Sequence, residues 1–235
     1  MDLWLQIAIA AAISGLIFLD SAAVAQIMIS QPIVCAPLIG WIIGDWHSGL
    51  FIGTLLALFW IGKLPIGSHV PPEAPISAIT ATMIYVFLKQ ALPVPLGTLA
   101  LAVSICCGII NGFLGGELTT GIRKFNNRFC VLADRYAASG SFAGIAWITL
   151  LSIGIIWITA SVLIFIGTWL PVLILPYFYP TFLQMNLLEY TPMLLVALGI
   201  AVIFDLFKIK TKKIAFVIGL LCGFLILGIL TWLFH

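Results

Sequence analysis

Hydrophobic residues fall along this chain in long, nearly uninterrupted runs, without the alternation of a half-buried strand or the single stripe of a soluble surface helix. The last run, residues 214–233, carries no charge. At ~1.5 Å per residue it reaches ~30 Å, the hydrocarbon thickness of a bilayer, and predicts one transmembrane helix. Comparable runs predict further crossings at 96–118, 142–166 and 193–207. Between 166 and 193, "WLPVLILPYFYPTFLQMNLLEYTP" is rich in Trp, Tyr and Pro. That mixture predicts an interfacial or partly re-entrant hairpin with aromatic anchors.

The first half resists so simple a reading. Residues 16–37 carry Asp20, Gln26 and Gln31 with Pro32 and Pro37. Residues 50–62 give only ~20 Å of helix, and 76–88 form another short segment. Short, interrupted apolar segments predict broken helices, because irregular backbone at membrane depth survives only where protein or a water-filled cavity satisfies its polar groups. The expected fold is therefore an all-α integral membrane protein, a polytopic helical bundle with broken or re-entrant segments. It reads as one domain over 1–235, with a solute-path half at about 1–120, an amphipathic cytoplasmic helix at about 121–137 and C-terminal spans at about 142–234.

Composition agrees, since 63% of the 235 residues are hydrophobic and 8% are charged, with mean hydropathy +1.25. Soluble domains carry about a quarter charged residues. The net charge of +2 is too small to point to nucleic acid. The basic residues instead form two clusters, Arg123/Lys124/Arg128/Arg135 and Lys208/Lys210/Lys212/Lys213. Positive charge is retained on the cytoplasmic side, so both clusters are expected inside and the C-terminus outside. The first apolar run lacks a basic leader, so the start is expected to be mature protein. Five cysteines without CxxC spacing read as inert core thiols, and no cofactor is implied.

Ionisable and amide groups inside the membrane are the natural candidates for contact with a solute. Here these are Asp20, Gln26, Gln31, His69 and Glu73, the last two in "GKLPIGSHVPPEAP" (62–75). Carboxylates, carboxamides and imidazole hydrogen-bond polyhydroxylated solutes such as sugars. Structural alternatives stay open: Asp20 as a helix cap through "DSAA", Glu73 as a solvated loop carboxylate. Trp41, Trp46 and Trp60 read as interface anchors before stacking platforms. Gly108/Gly112/Gly116, Gly40/Gly44 and Gly49/Gly53 predict close helix packing. Residues 122–136 place Ile122, Phe125, Phe129, Leu132 and Tyr136 on one helical face, predicting an amphipathic helix on the inner surface. An enzyme is disfavoured: the histidines are scattered without HExxH, and "IGSHV" lacks the second glycine of a nucleophile elbow.

Four blocks then carry a family resemblance: "MISQPIVCAPLIGWIIGD", "GLFIGTLLALFWIG", "LPIGSHVPPEAPISA" and "GIRKFNNRFCVLADRYAASG". In this order they resemble the IIC component of the mannose/sorbose-type bacterial phosphotransferase system, over roughly residues 5–235. The resemblance implies a sugar-translocating, multi-pass subunit of the bacterial inner membrane. Its implied partners are a IID membrane subunit, cytoplasmic IIA and IIB phosphocarriers that perform the phosphoryl transfer, and further copies of the complex. Two departures stand out: Ala57 where many members have glutamate, and Pro65 where they have asparagine, while Glu73 retains a carboxylate. These departures leave a second reading, a IIC-like membrane scaffold or regulatory subunit without transport.

Overall fold

The computed structural model describes residues 2–62, 71–91 and 97–184. His69, the expected crossings at 193–207 and 214–233 and the lysine cluster lie outside these residues. Among the described residues every regular element is helical: α1 (Leu3–Ala22), α2 (Pro32–Ile42), α3 (Trp46–Trp60), α4 (Ala74–Ala91), α5 (Gly97–Ala138) and α6 (Phe142–Gln184). Three of them contain segments long and apolar enough to cross a membrane, Leu3–Ala22, Ala100–Ala138 and Phe142–Phe178.

The first interruption lies where the polar residues placed it. After α1 the backbone turns irregular for nine residues, and Ala25, Gln26 and Met28 adopt φ of 65°, 54° and 68°. Left-handed backbone costs a non-glycine residue about 1–2 kcal/mol, so something must hold it. The buried carboxylate of Asp20 does: Oδ1 accepts from the Ile27 N–H at 2.7 Å, and Oδ2 from the Ser30 N–H at 3.0 Å and the Ser30 hydroxyl at 2.9 Å. Pro32 then starts α2 at the first helical position, where its missing N–H costs nothing.

Helices α2 and α3 are short, roughly 17 and 22 Å. They form a hairpin whose tip is residues 43–45. Glycines set how closely the two arms approach, as expected: a Cβ on Gly49 would lie 2.5 Å from the Ala36 carbonyl oxygen, and one on Gly53 2.5 Å from that of Pro32. At the tip Asp45 caps α3 by accepting from the Ser48 N–H at 3.1 Å and pairs with Lys89 of α4 at 2.8 Å. Gln90 donates to the Ile43 carbonyl at 3.1 Å beside it. Burial works against the Asp45 charge, yet Lys89 and Ser48 outweigh it and hold the carboxyl below its ordinary value.

Helix α4 is the hub. From Pro75 to Leu88 every residue except Tyr85 is buried, and the helix touches α2, α3, α5 and α6. Two of its three buried threonine and serine hydroxyls find partners, while the Ser77 hydroxyl has none: Thr82 donates to the Ala78 carbonyl, and Asn111 of α5 donates to Thr80 at 2.8 Å. The Gly108/Gly112/Gly116 stripe faces it as predicted, with a Gly108 Cβ falling 2.6 Å from both Ala81 Cβ and the Ser77 carbonyl oxygen.

Two expectations need correction. The crossing at 96–118 and the surface helix at 122–136 are one continuous helix, α5, of 42 residues or roughly 63 Å. Nothing in "GELTTGIRK" breaks it, so the amphipathic stretch extends the span. Likewise the hairpin expected from Trp169 onward is, as far as residue 184, an unbroken continuation of α6 through Pro171, Pro176 and Pro180. Each proline removes one donor, but in an apolar surround the helix still satisfies more backbone groups than any irregular path. The α5–α6 turn is closed by Gly140 at φ 70°, with the Ser141 N–H donating to the Tyr136 carbonyl, and the Ser141 hydroxyl accepting from the Gly144 N–H. Of the three tryptophans, Trp41 and Trp46 are exposed as anchors would be, whereas Trp60 is buried against Gly112 and Phe113.

Candidate functional site

At the end of the bundle where α1 stops and α4 begins, a cavity of about 340 Å³ opens between α1, the 71–73 segment, α5 and α6. Phe18, Ser21 and Ala22 come from the last turns of α1, Glu73 from the segment before α4, and Ile156 from α6. The α5 wall holds Thr119, Ile122, Arg123, Asn126, Asn127 and Cys130. This volume lies within the range of small-molecule sites, and the mixture of apolar walls with a few convergent polar groups is their usual lining.

Glu73 is fixed at both levels. Its backbone N–H donates to the Gly112 carbonyl at 2.9 Å, possible because glycine there brings α5 close to the 71–73 segment. Its carboxylate accepts from the Thr119 hydroxyl at 2.9 Å, and the Arg123 guanidinium is near enough for its charge to act on it. Thr119 and Arg123 are four apart and share a face of α5. One further turn along, the Asn126 Oδ1 is buried without a hydrogen-bond partner. A carboxylate, a hydroxyl, a guanidinium and two carboxamides can between them donate to and accept from several hydroxyls at once.

Of the five side chains expected to meet solute, the structure brings Glu73 to this cavity. Asp20 sits one residue from its Phe18–Ser21–Ala22 wall, with both oxygens engaged by the 27–30 loop. Gln26 and Gln31 lie on that loop, exposed, and do not line the cavity. His69 is outside the described residues. Thr119, Arg123, Asn126 and Asn127 were not among the residues expected to meet solute, Arg123 counting only as a topological charge, although a signal existed. Continuing Gly112 and Gly116 at alternating steps of three and four gives 119, 123, 126 and 130, a single stripe running from glycine to polar residues.

The bundle and its cavity define a membrane-embedded helical protein with a solute-sized polar recess. The sequence profile described as the PTS system sorbose-specific IIC component matches residues 4–233, and the chain belongs to that family. Among curated relatives, the mannose-specific EIIC component of Escherichia coli K12 is 28% identical over 118 residues, 50% of this chain and 41% of the relative. The fructose permease IIC component of Bacillus subtilis 168 is 25% identical over 201 residues, 81% of this chain and 68% of the relative. The alignment thus spans about two fifths of the mannose relative's length. A solved membrane-protein structure shares the fold at TM-score 0.63 and 21% identity, covering 98% of this chain and 92% of the other. The cryo-electron microscopy structure of the mannose transporter ManYZ with microcin E492 does so at TM-score 0.52 and 23% identity, covering 99% and 86%.

Proposed function

We propose that this chain is the sugar-translocating IIC subunit of a phosphotransferase system and that the Glu73 cavity is where its solute binds. The observation that carries this reading is the half-buried Glu73 carboxylate, held by Thr119 in a recess otherwise lined by hydroxyl, carboxamide, guanidinium and apolar groups. A carboxylate in such a place is costly unless it accepts hydrogen bonds, and sugar hydroxyls supply them. Asp20 serves the same site indirectly, by setting the loop after the α1 wall. Retention of Glu73 and its cavity favours transport over the scaffold reading despite Ala57 and Pro65.

The subunit itself performs no chemistry on this reading. IIA and IIB partners transfer the phosphoryl group, a IID subunit completes the membrane complex, and copies of the complex associate. The chain lies in the bacterial plasma membrane as one domain over 1–235, with the Arg123–Arg135 end of α5 in the cytoplasm and the C-terminus outside. The positive-inside rule and the family support this arrangement.

The test is sugar uptake and binding by Glu73→Gln at equal membrane levels, with the IID subunit present. Gln keeps the size and one acceptor oxygen but loses the charge. Charge-assisted bonds worth about 1.5–3 kcal/mol are weakened, so affinity should fall on the order of tenfold or more. Unchanged affinity would remove Glu73 from the site.

A further inference from the structure

The cavity lining holds two unlike sets of groups. In the first, Glu73 and Thr119 offer acceptors suited to neutral hydroxyls. In the second, Arg123, Asn126 and Asn127 follow Thr119 along α5, and Arg123 has no ion-pair partner within 4 Å among the described residues. A guanidinium with flanking carboxamides is an oxyanion site: the planar fork matches phosphate or carboxylate oxygens, and amide N–H groups fill the remaining lone pairs. The same helix continues with Lys124, Arg128 and Arg135, so the field there is positive as well. A neutral sugar needs none of this charge.

We infer that the Arg123 set in this cavity binds the anionic group of a phosphorylated sugar, with Arg123 forking onto the phosphate oxygens and Asn126 and Asn127 donating beside it. This rests on the proposed sugar site and adds a second ligand state to it. The same pocket would hold the neutral sugar through Glu73 and the sugar phosphate through both sets. Because Glu73 lies within reach of the Arg123 charge, a phosphate bound to Arg123 would draw the guanidinium away from Glu73. That loosens the acceptor set as the product forms and favours its release.

The experiment uses the full chain with its IID subunit in lipid nanodiscs. It measures direct binding of mannose, fructose, sorbose and N-acetylgalactosamine, and of their phosphate monoesters, to wild type, Arg123→Gln and Arg123→Lys. For the sugar that binds, Arg123→Gln should weaken the phosphate ester on the order of tenfold or more beyond whatever it costs the neutral sugar. Arg123→Lys should restore part of the loss, since it returns the charge without the fork. Glucuronate and galacturonate form a further arm. Binding of uronates that depends on Arg123 while esters do not bind would make the anion a carboxylate and overturn the phosphate assignment. Equal loss for neutral and phosphorylated sugar would make Arg123 a structural residue, and no ester binding at all would also overturn the inference. Neutral sugar binding that depends on Glu73 but esters indifferent to Arg123 would sink this inference alone. Absence of neutral binding as well would sink the sugar-site reading with it.

Discussion

Asp20 shows how one intramembrane carboxylate can decide a break in a helix. Three residues in left-handed conformation follow α1, and each costs about 1–2 kcal/mol that a cap without charge would not offset. Three donors onto one carboxylate do offset it. Asp20→Ala should therefore lower the unfolding midpoint by several degrees, a loss on the order of 2–4 kcal/mol, while Asp20→Asn, which keeps one acceptor oxygen, should lose about half as much. Thermal unfolding of the purified protein in detergent checks this, and equal midpoints for all three chains would show that the loop holds its shape without Asp20. The sequence marked Asp20 as unusual because charge is rare in an apolar run. It did not reveal the partners, because the three donors sit seven to ten residues downstream in a loop with no period.

At the scale of elements, glycine spacing and helix breaks were legible, and helix length was not. The Gly108/Gly112/Gly116 stripe announced a close neighbour, and α4 is that neighbour. Gly108→Val places atoms against Ala81 and the Ser77 backbone, so α4 and α5 must part at a cost of about 1–3 kcal/mol. Reduced yield of folded protein on size exclusion would register it. Helix α4 itself reads as a weak segment, "ISAITATMIYVFL", because a helix surrounded by protein needs small and hydroxylated residues where a lipid-facing one needs bulk. The continuation of α5 past 121 and of α6 past its prolines was hidden for the converse reason, since charge and proline both look like ends. The hairpin tip makes a pH prediction. Folding lowers the Asp45 pKa, so the stabilisation by Lys89 is intact above the ordinary carboxylate value of 3.8 and is lost as pH falls through the lower folded value. Asp45→Asn keeps a good cap residue and removes the charge, so it should cost up to about 1 kcal/mol at pH 7. That difference should vanish in unfolding experiments carried well below pH 3.8. A difference that persists there would assign the effect to the cap and not to the ion pair.

Among the described residues α4 is a buried hub that packs against the short α2–α3 hairpin and the long helices α5 and α6, with a recess between α1, the 71–73 segment, α5 and α6. Glu73 is the part of that recess legible in the sequence, because a carboxylate among prolines in a hydrophobic chain demands a reason. The α5 wall was not legible, because its polar residues were read as the solvated side of a surface helix. The proposed orientation in the membrane rests on the basic end of α5. A lone cysteine at Lys124 in a cysteine-free background should react with an impermeant thiol reagent only from the cytoplasm, and labelling from outside would invert the topology. The claim on which the rest depends is that solute occupies the recess between Glu73 and the α5 stripe. Its most direct measurement is the alkylation rate of Asn126→Cys, in the same cysteine-free chain with its IID subunit, with and without sugar. The account predicts that the transported sugar slows the reaction in a saturable manner, at concentrations matching its binding constant, and that Glu73→Gln shifts the protection to higher sugar on the order of tenfold. A rate unchanged at sugar concentrations that saturate uptake would place the solute elsewhere.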